Sequence, residues 1–268
     1  MNSITTKNKL KTIIFKTLRA VLVTALWVLV WEIAARLLAK DNDLMYLLLP
    51  LPETVLKKWI EIAFTSEFST AVLHSLSRIF GGFVIGLTVG FAFGILTSAL
   101  KIADWVLSPM LKIIRAVPVV AITILFFTLF KSDNLPIIIV SLMVIPLIWA
   151  TVHDGLSNPD RELYEMARVF KLSPARKFFY IKLPTVFPSL LTASVNALGL
   201  AWKSGIAAEV ICEPKIALGT ILAEGKGMVD YSIVYAMTLT VVILSLIIEV
   251  LLKYLCHKFV QSGGNNNA

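Results

Sequence analysis

Six apolar stretches, each about as long as a helix that crosses a lipid bilayer, dominate this sequence. They lie at approximately 18–39, 79–100, 113–130, 135–152, 185–203 and 231–252. A helix needs roughly 20 apolar residues to cross the hydrocarbon layer, and backbone amides in lipid must bond within their own segment. The stretches therefore predict an all-α, polytopic membrane protein with about six transmembrane helices.

The composition favours a membrane protein over a soluble one. Hydrophobic residues make up 57% of the 268 residues and charged residues 16%, against roughly 45–50% and 25% in soluble domains. The net charge of +8 would suggest a nucleic-acid-binding protein if the basic residues shared one soluble face. They fall between the apolar stretches instead, so we expect a lipid bilayer and no nucleic acid as partner.

The basic residues predict the orientation of the chain. Lysine and arginine are concentrated in the N-terminal tail, 1–17, and in the connection 153–184, whereas acidic residues are frequent in the connections of the opposite side. The positive-inside rule then places both termini in the cytoplasm. We expect a single transmembrane domain over 18–257 and a cytoplasmic tail, 258–268, whose Gly- and Asn-rich end predicts disorder.

Two external connections are predicted to contain local structure. In the connection 40–78, the prolines Pro50 and Pro52 break the chain before an interfacial helix at 54–64. The segment 204–230 is too polar to span the membrane and contains Pro214, Gly219, Gly225 and Gly227. It is expected to be an external or partly re-entrant loop.

Glycines recur at every fourth position of the second stretch, as Gly82, Gly86, Gly90 and Gly94. Residues four apart share one face of a helix, and glycines on that face let another backbone approach closely. The pattern predicts a helix-packing seam. A seam whose helices slide past each other during a functional cycle is the alternative.

The connection 153–184 predicts two short helices. Asn158, followed by a proline and an acidic residue, is typical of a helix start, and this helix should end near Lys171. Ser173, again followed by proline, predicts an amphipathic second helix that ends at Pro184. Three of its apolar side chains are expected at the membrane surface: Phe178, Phe179 and Ile181.

The same connection carries the most specific motif. Glu165-Met166-Ala167, three residues, Lys171, nine residues and Ile181-Lys182-Leu183-Pro184 have the spacing of the EAA loop, E-A-A-x3-G-x9-I-x-L-P. The chain thereby resembles the membrane subunits of ABC importers that receive cargo from a binding protein. The segments 49–56 and 201–209 are similar to the nitrate, sulfonate, taurine and bicarbonate branch, and the resemblance spans roughly residues 27–255.

This resemblance implies a transmembrane permease subunit of an ATP-driven importer in the bacterial inner membrane, with the fold of a type I importer. It implies a coupling helix, containing Glu165, Ala167 and Arg168, that sits in a cleft of a nucleotide-binding subunit. The small Ala167 would permit close approach of that subunit. Two ATPase subunits, a second and identical permease chain, and an extracytoplasmic substrate-binding protein would complete the assembly.

Two positions depart from the EAA pattern. Met166 stands where the pattern has its second alanine, and Lys171 where it has glycine. Because lysine is less comfortable than glycine in a left-handed turn, the break between the two short helices is expected at Leu172-Ser173.

The chain is not expected to be an enzyme. Its nearest approach to a P-loop, 219–227, has the wrong spacing and no Ser or Thr after Lys226. No cofactor is therefore expected in this chain. ATP and Mg²⁺ are expected in the partner ATPase. His74, His153 and His257 are scattered, and no metal site is predicted. An intramembrane enzyme or a non-transporting membrane scaffold remains the alternative.

Trp202, Lys203 and Glu209, near the expected outer end of the fifth stretch, are candidates to line a translocation path. Lys203 could attract an anion, and the resemblance implies a small oxyanion such as a sulfonate, nitrate or bicarbonate, with a vitamin precursor or other small metabolite as the alternative. An interfacial Trp-Lys belt, with Glu209 in a wet loop, is the other interpretation. Glu32 and Arg36, one helical turn apart, are expected to pair.

Overall fold

A computed structural model describes residues 2–40, 47–130, 132–158 and 161–264. In chain order the helices are α1 (Asn2–Ala39), α2 (Pro52–Ala63), α3 (Ser66–Ala99), α4 (Lys101–Ala116), α5 (Val119–Leu129), α6 (Leu135–Ser157), α7 (Arg161–Val169), α8 (Pro174–Lys177), α9 (Leu183–Cys212), α10 (Leu218–Gly227) and α11 (Tyr231–Gly264). A π-helical turn, Phe178–Lys182, joins α8 to α9. The all-α prediction is confirmed. α11 includes residues 258–264 of the predicted tail, and residues 265–268 lie outside the described ones.

Within the described residues, five helical segments are long and apolar enough to cross a membrane: Leu18–Leu38, Ser66–Ala99, Leu135–Ser157, Pro174–Cys212 and Tyr231–Leu252. A sixth crossing is available only if α4 and α5 are counted together, because the two helices are bent by 102° at their junction. The prediction of about six spans is confirmed by this count.

The prediction of one continuous span at 113–130 is wrong. Pro118 separates α4 from α5, and Val117 before it is extended, with φ of −78° and ψ of 132°. Proline lacks an amide hydrogen and drives the preceding residue out of the helical region. α5 has 11 residues and is therefore about 16 Å long, roughly half of a hydrocarbon layer.

Two span boundaries also differ from the sequence prediction. α3 begins at Ser66 rather than near residue 79, because Thr65 caps it by accepting a hydrogen bond from the amide of Phe68 at 3.2 Å. α9 continues past residue 203 to Cys212, where Glu213 adopts a left-handed conformation with φ of 45°. The helix predicted at 54–64 is confirmed as α2.

The chain divides into two units. The first comprises 1–64 and 224–237. In it, the ring of Trp31 stacks on that of Tyr235 with centroids 5.5 Å apart. The predicted pair is also confirmed, because Nε of Arg36 lies 2.6 Å from Oε1 of Glu32.

The second unit comprises 65–223 and 238–268, and its core is formed by α3, α6 and α9. α3 and α6 are parallel, since their facing residues increase in number together from Gly82 and Val140 onward. α9 is antiparallel to α6, because Gly205 lies near Val140 while Val186 lies near Gly155. Parallel neighbours require the chain to return between them, and the bent pair α4 and α5 makes that return.

Candidate functional site

Helix α7 carries the central residues of the EAA-type motif. Glu165, Met166 and Arg168 are exposed, but Ala167 is fully buried within this chain. Its small size therefore serves packing inside the chain rather than close approach of a partner. Among the large apolar side chains that α7 and the residue after it expose, Val169 and Phe170 are the most exposed, at 78% and 72%. Sequence reasoning missed both, although they lie inside the x3 of the motif.

Lys171 ends this helix in a left-handed conformation with φ of 50°. The amide of Leu172 donates to the carbonyl of Ala167 at 3.0 Å, and the amide of Lys171 donates to that of Arg168 at 3.0 Å. These two bonds form a Schellman motif. The break expected at Leu172-Ser173 is therefore wrong. The observed break lies at Lys171, the glycine position of the EAA pattern. There the two hydrogen bonds outweigh the cost of a left-handed conformation for a residue with a Cβ, which is roughly 1–2 kcal/mol.

Asn158 ends α6. Its amide and its side-chain nitrogen both donate to the carbonyl of Asp154, at 3.0 and 3.2 Å. The cap that it is predicted to form on α7 stays a prediction, because the start of that helix lies next to undescribed residues. Pro159 and Asp160, the rest of the predicted helix start, lie outside the described residues.

The second short helix begins as predicted but does not end as predicted. Oγ of Ser173 accepts a hydrogen bond from the amide of Arg176 at 3.4 Å, which confirms the cap. The chain then passes through the π turn into α9, and the amide of Leu183 donates to the carbonyl of Phe178. Pro184 does not end the helix: it lies in the first turn of α9, directly after the π turn.

Ile181 is also placed differently from the prediction. It is 6% exposed and buried against its own chain, whereas Phe179 is 61% exposed. The α8–α9 segment is thus one continuous helical rod that starts directly after the Schellman turn.

The four glycines of α3 lie against branched side chains of α6. The facing pairs are Gly82 with Val140, Gly86 with Val144, Gly90 with Ile148, and Gly94 with Val152. A Cβ added at these glycines would lie 2.5–3.0 Å from the facing Cβ atoms, closer than atoms can pack. The hydroxyl of Ser141 donates to the carbonyl of Gly82 at 3.1 Å. The two helices are therefore in direct backbone contact.

A polar chain of contacts follows at the end of this seam nearest α7. Nε1 of Trp149 donates to Oγ1 of Thr97 at 2.9 Å, and the same oxygen lies 2.9 Å from Nδ1 of His153. Nε2 of His153 is 3.8 Å from Oδ1 of Asp104 in α4. Sequence reasoning treated His153 as isolated. Its spacing of four from Trp149 on α6 was the available signal.

Glu209 is fully buried in α9 and contacts α3. Oε2 accepts a hydrogen bond from the hydroxyl of Ser75 at 2.7 Å and from the amide of Gly219 at 3.3 Å. Oε1 lies 3.5 Å from Nη1 of Arg78. The interpretation of Glu209 as a residue of a wet loop is wrong, because α9 extends three residues beyond it. The side chains of Ser75 and Arg78 and the amide of Gly219 therefore satisfy the hydrogen-bonding oxygens of this buried carboxyl group.

The partners of Glu209 also hold the segment that follows α9. Nη1 of Arg78 donates to the carbonyl of Ile216 at 2.7 Å, and Oγ of Ser75 accepts from the amide of Leu218 at 2.9 Å. Gly219 lies against Glu209 so closely that an added Cβ would be 2.4 Å from the Cβ of the glutamate. The cluster fixes the start of α10 against α3 and α9. Neither Ser75 nor Arg78 was singled out in the sequence.

Trp202 and Lys203 do not lie at the end of α9, because the helix continues to Cys212. Trp202 is 2% exposed, and its Nε1 donates to the carbonyl of Val241 in α11 at 3.1 Å. A buried Trp in the middle of a span does not fit an interfacial belt. Lys203 is exposed and lines a cavity between α9 and α11. The three residues predicted to share one path are therefore divided, since Glu209 faces α3.

Proteins of similar sequence are permease proteins. The chain is 26% identical over 195 residues to SsuC of Bacillus subtilis, named for transport of aliphatic sulfonates, covering 72% of this chain and 69% of the relative. It is 25% identical to the nitrate import permease protein NrtB of Synechocystis sp., covering 73% and 72%. It is 28% identical to the bicarbonate transport system permease protein CmpB of Synechocystis sp., covering 55% and 53%.

Solved structures share the fold. An inward-facing MetNI methionine ABC transporter chain aligns with a TM-score of 0.61 at 19% identity, covering 73% of this chain and 95% of that one. A chain of an amino acid ABC transporter with histidines aligns with a TM-score of 0.64 at 16% identity, covering 74% and 96%.

The aligned part of the chain includes both the α7 loop and the helices that flank it. The family described as binding-protein-dependent transport system inner membrane component matches residues 72–261. This range is most of the chain and contains α6, α7 and α9 entire. The chain therefore belongs to the family of binding-protein-dependent transport system inner membrane components and is a multi-pass permease subunit of an ABC importer.

Proposed function

We propose that this permease works as a symmetric pair of identical chains, with two ATPase subunits on the cytoplasmic side and one substrate-binding protein outside. Partners of these two classes are general to the family, and the number and identity of the chains are our proposal. Both termini then lie in the cytoplasm of a bacterial cell, with α7 on the same side. The concentration of basic residues around α7 supports this orientation.

The observation that carries the coupling proposal is the exposed surface of α7. Met166, Val169 and Phe170 are each about half or more exposed beside Glu165 and Arg168. Apolar side chains grouped on a polar loop are typical of a protein interface. We assign this surface, Glu165–Phe170, to the ATPase cleft. The partner subunit would bind ATP and Mg²⁺, and its hydrolysis of ATP would drive the transport cycle.

The flanking helices give the coupling surface a mechanical route into the membrane. α7 follows α6 after three residues and precedes the continuous α8–α9 rod. α6 and α9 both pack on α3, through the glycine seam and through Gly205 beside Ile79. A ligand shifts a conformational equilibrium only through contacts that differ between states. We therefore expect the ATPase to hold α7 differently in the inward-facing and outward-facing states.

We propose a small oxyanion as the cargo. Three relatives are named for aliphatic sulfonates, nitrate and bicarbonate. Lys203 adds a positive charge at membrane depth, and such charges are functional hypotheses by default. The external binding protein would select the cargo, and this chain would supply the path.

Uptake into proteoliposomes tests this proposal. The permease is reconstituted with its cognate ATPase and binding protein, and labelled nitrate, bicarbonate and ethanesulfonate are added outside. We expect uptake of at least one of these anions that requires both ATP and the binding protein, and that stops when the P-loop lysine of the ATPase is replaced. ATP-independent uptake, or a purified permease that binds no ATPase, would contradict the proposal.

A further inference from the structure

Helix α4 runs alongside α6 through the depth of the membrane. Near the start of α4, Oδ1 of Asp104 lies 3.8 Å from Nε2 of His153, at the end of α6 nearest α7. Directly after α4, Val117 packs against a buried cluster that contains Leu135 and Ile139, at the opposite end of α6. The two ends of α4 therefore lie at the two opposite ends of α6, and the two helices are antiparallel.

The lengths of the two helices agree with this arrangement. The contact points at the ends of α4 are thirteen residues apart, or about 20 Å along a helix. On α6 the corresponding residues, Ile139 and His153, are fourteen residues apart, or about 21 Å. Lys112 and Arg115 then lie about 12 and 17 Å beyond the level of Asp104. Both residues are therefore near the middle of α6.

The side chains of Lys112 and Arg115 lie on the outer face of α4. Both residues are exposed, whereas Leu111 on the packed side is buried. They are three residues apart and hence neighbours on one helix face. Among the residues that the structure describes, neither forms an ion pair with a carboxylate. Asp104, the acidic residue of α4, is turned toward α6 and accepts a hydrogen bond from Ser108.

Two adjacent positive charges at this depth are costly unless water or an anion lies beside them. Long basic side chains can reach the membrane surface from positions near it, but these two lie near the middle of the span. Charges that persist at such depth face a water-filled cavity or an opposite charge, and they mark ion pathways. The rest of the exposed face is apolar and includes Trp105, Met110 and Ile113. A mostly apolar wall with a few polar groups is typical of a surface that receives a small molecule.

We propose that the exposed face of α4 lines the translocation path and that Lys112 and Arg115 attract the anionic cargo within it. The planar guanidinium of Arg115 can bind two oxygens of an oxyanion, and the ammonium of Lys112 adds a point charge beside it. Each chain of the pair contributes one such set of cations. The inference rests on the proposed function and names the residues that make the path selective for anions.

Labelling of an introduced cysteine in proteoliposomes tests whether this face meets water. Lys112→Cys is compared with the unaltered permease, whose own Cys212 and Cys256 give the background. The probes are one anionic and one cationic methanethiosulfonate. We expect both reagents to modify Lys112→Cys above the background, and the anionic reagent to react faster.

The ratio of the anionic to the cationic labelling rate tests the role of Arg115. Adding Arg115→Gln to Lys112→Cys should lower this ratio at least about threefold, because a charge one helical turn away acts strongly where the dielectric constant is low. Adding Lys101→Gln is the matched control. Lys101 is an exposed cation at the start of the same helix, and its loss should leave the ratio unchanged.

Uptake into the same proteoliposomes, with the cognate ATPase and binding protein, tests the role in transport. The probes are labelled nitrate, bicarbonate and ethanesulfonate. The double variant Lys112→Gln with Arg115→Gln should lower uptake of the transported anion at least about tenfold, while the ATPase still co-purifies. Lys112→Arg with Arg115→Lys conserves both charges and should keep most of the uptake. Lys101→Gln should transport like the unaltered permease.

Three results would overturn the inference. Lys112→Cys that neither reagent modifies would show that lipid or the second copy covers this face of α4. A labelling ratio that Arg115→Gln leaves unchanged would remove the attraction of anions. Uptake by the double glutamine variant at the unaltered level would remove the role in transport.

Failure of the proposed function has a separate signature. The unaltered permease would then lack the ATPase, take up none of the three anions or transport without ATP. In that case the labelling of Lys112→Cys, and its dependence on Arg115, still decide whether α4 lines a water-filled path that favours anions.

Discussion

Val144 lies directly over Gly86, so that a Cβ on this glycine would be 2.6 Å from the Cβ of the valine. The same relationship recurs at one-turn intervals along α3 and α6, from Gly82 to Gly94. Helices in lipid have no hydrophobic driving force for association, so close backbone contact and hydrogen bonding must hold such a pair together. The seam therefore holds α6 against α3 along four successive turns.

Gly86→Leu is expected to separate α3 from α6. The added side chain meets Val144 and the carbonyl of Ser141, and overpacking of this kind costs about 1–3 kcal/mol or more. The thermal unfolding midpoint in detergent should fall, and the monodisperse fraction on size-exclusion chromatography should drop. Gly81→Leu, at an open position of the same helix, is the control. Equal midpoints for the two variants would contradict the seam.

Arg78→Met is expected to destabilise the permease by about 3–5 kcal/mol, because it leaves the carboxylate of Glu209 buried without its cation. Replacing both residues, with Arg78→Met and Glu209→Leu, should cost clearly less than the sum of the single changes. Denaturant unfolding of all four proteins gives the coupling energy. Additive effects would show that the two side chains do not act as a pair.

Lys171→Gly is expected to stabilise the α7 loop by roughly 1 kcal/mol, since glycine adopts the left-handed conformation without a Cβ clash. Limited proteolysis of the loop should slow, while ATP-driven uptake is retained. Lys171→Val should do the reverse, because β-branched residues fit this region poorly. Faster cleavage of the glycine variant would contradict the Schellman assignment.

Pro118→Leu is expected to straighten the bend between α4 and α5. The variant restores an amide hydrogen and frees Val117 to become helical. A continuous helix from Lys101 to Leu129 would be about 42 Å long, so the distance between spin labels at these ends should increase. Pro136→Leu, in the first turn of α6, is the control and should leave that distance unchanged. An unchanged distance in Pro118→Leu would show that tertiary packing, not proline, sets the bend.

The main features of the fold could be predicted because membrane spans and caps are encoded locally. The length of the apolar stretches predicted the spans. Neighbouring residues alone predicted the helix cap at Ser173 and the helix α2. Proline was interpreted wrongly in both directions. Pro118 was expected inside a helix and breaks one, whereas Pro184 was expected to end a helix and begins one. Whether a proline breaks a helix or is tolerated depends on whether it falls in the first turn of that helix. Where the first turn falls depends on tertiary packing.

The candidate site was less predictable because its contacts join distant parts of the chain. Glu209 meets Ser75 across more than a hundred residues, and no local pattern indicates that pairing. The motif located α7 but not its exposed surface, since Ala167 turned inward and Phe170 outward. The left-handed Lys171 shows that hydrogen bonding can impose a glycine conformation where the expected residue is absent.

Co-purification of the ATPase with a Phe170→Asp permease tests whether the exposed surface of α7 binds the ATPase. Phe170 is 72% exposed next to α7, so the change should leave the fold intact while placing a charge in the ATPase contact. Phe64→Asp, at a side chain that is 88% exposed after α2, is the matched control. We predict that Phe64→Asp retains the ATPase at wild-type stoichiometry and that Phe170→Asp loses it while remaining monodisperse. Full retention of the ATPase by Phe170→Asp would show that this surface of α7 is not the ATPase contact.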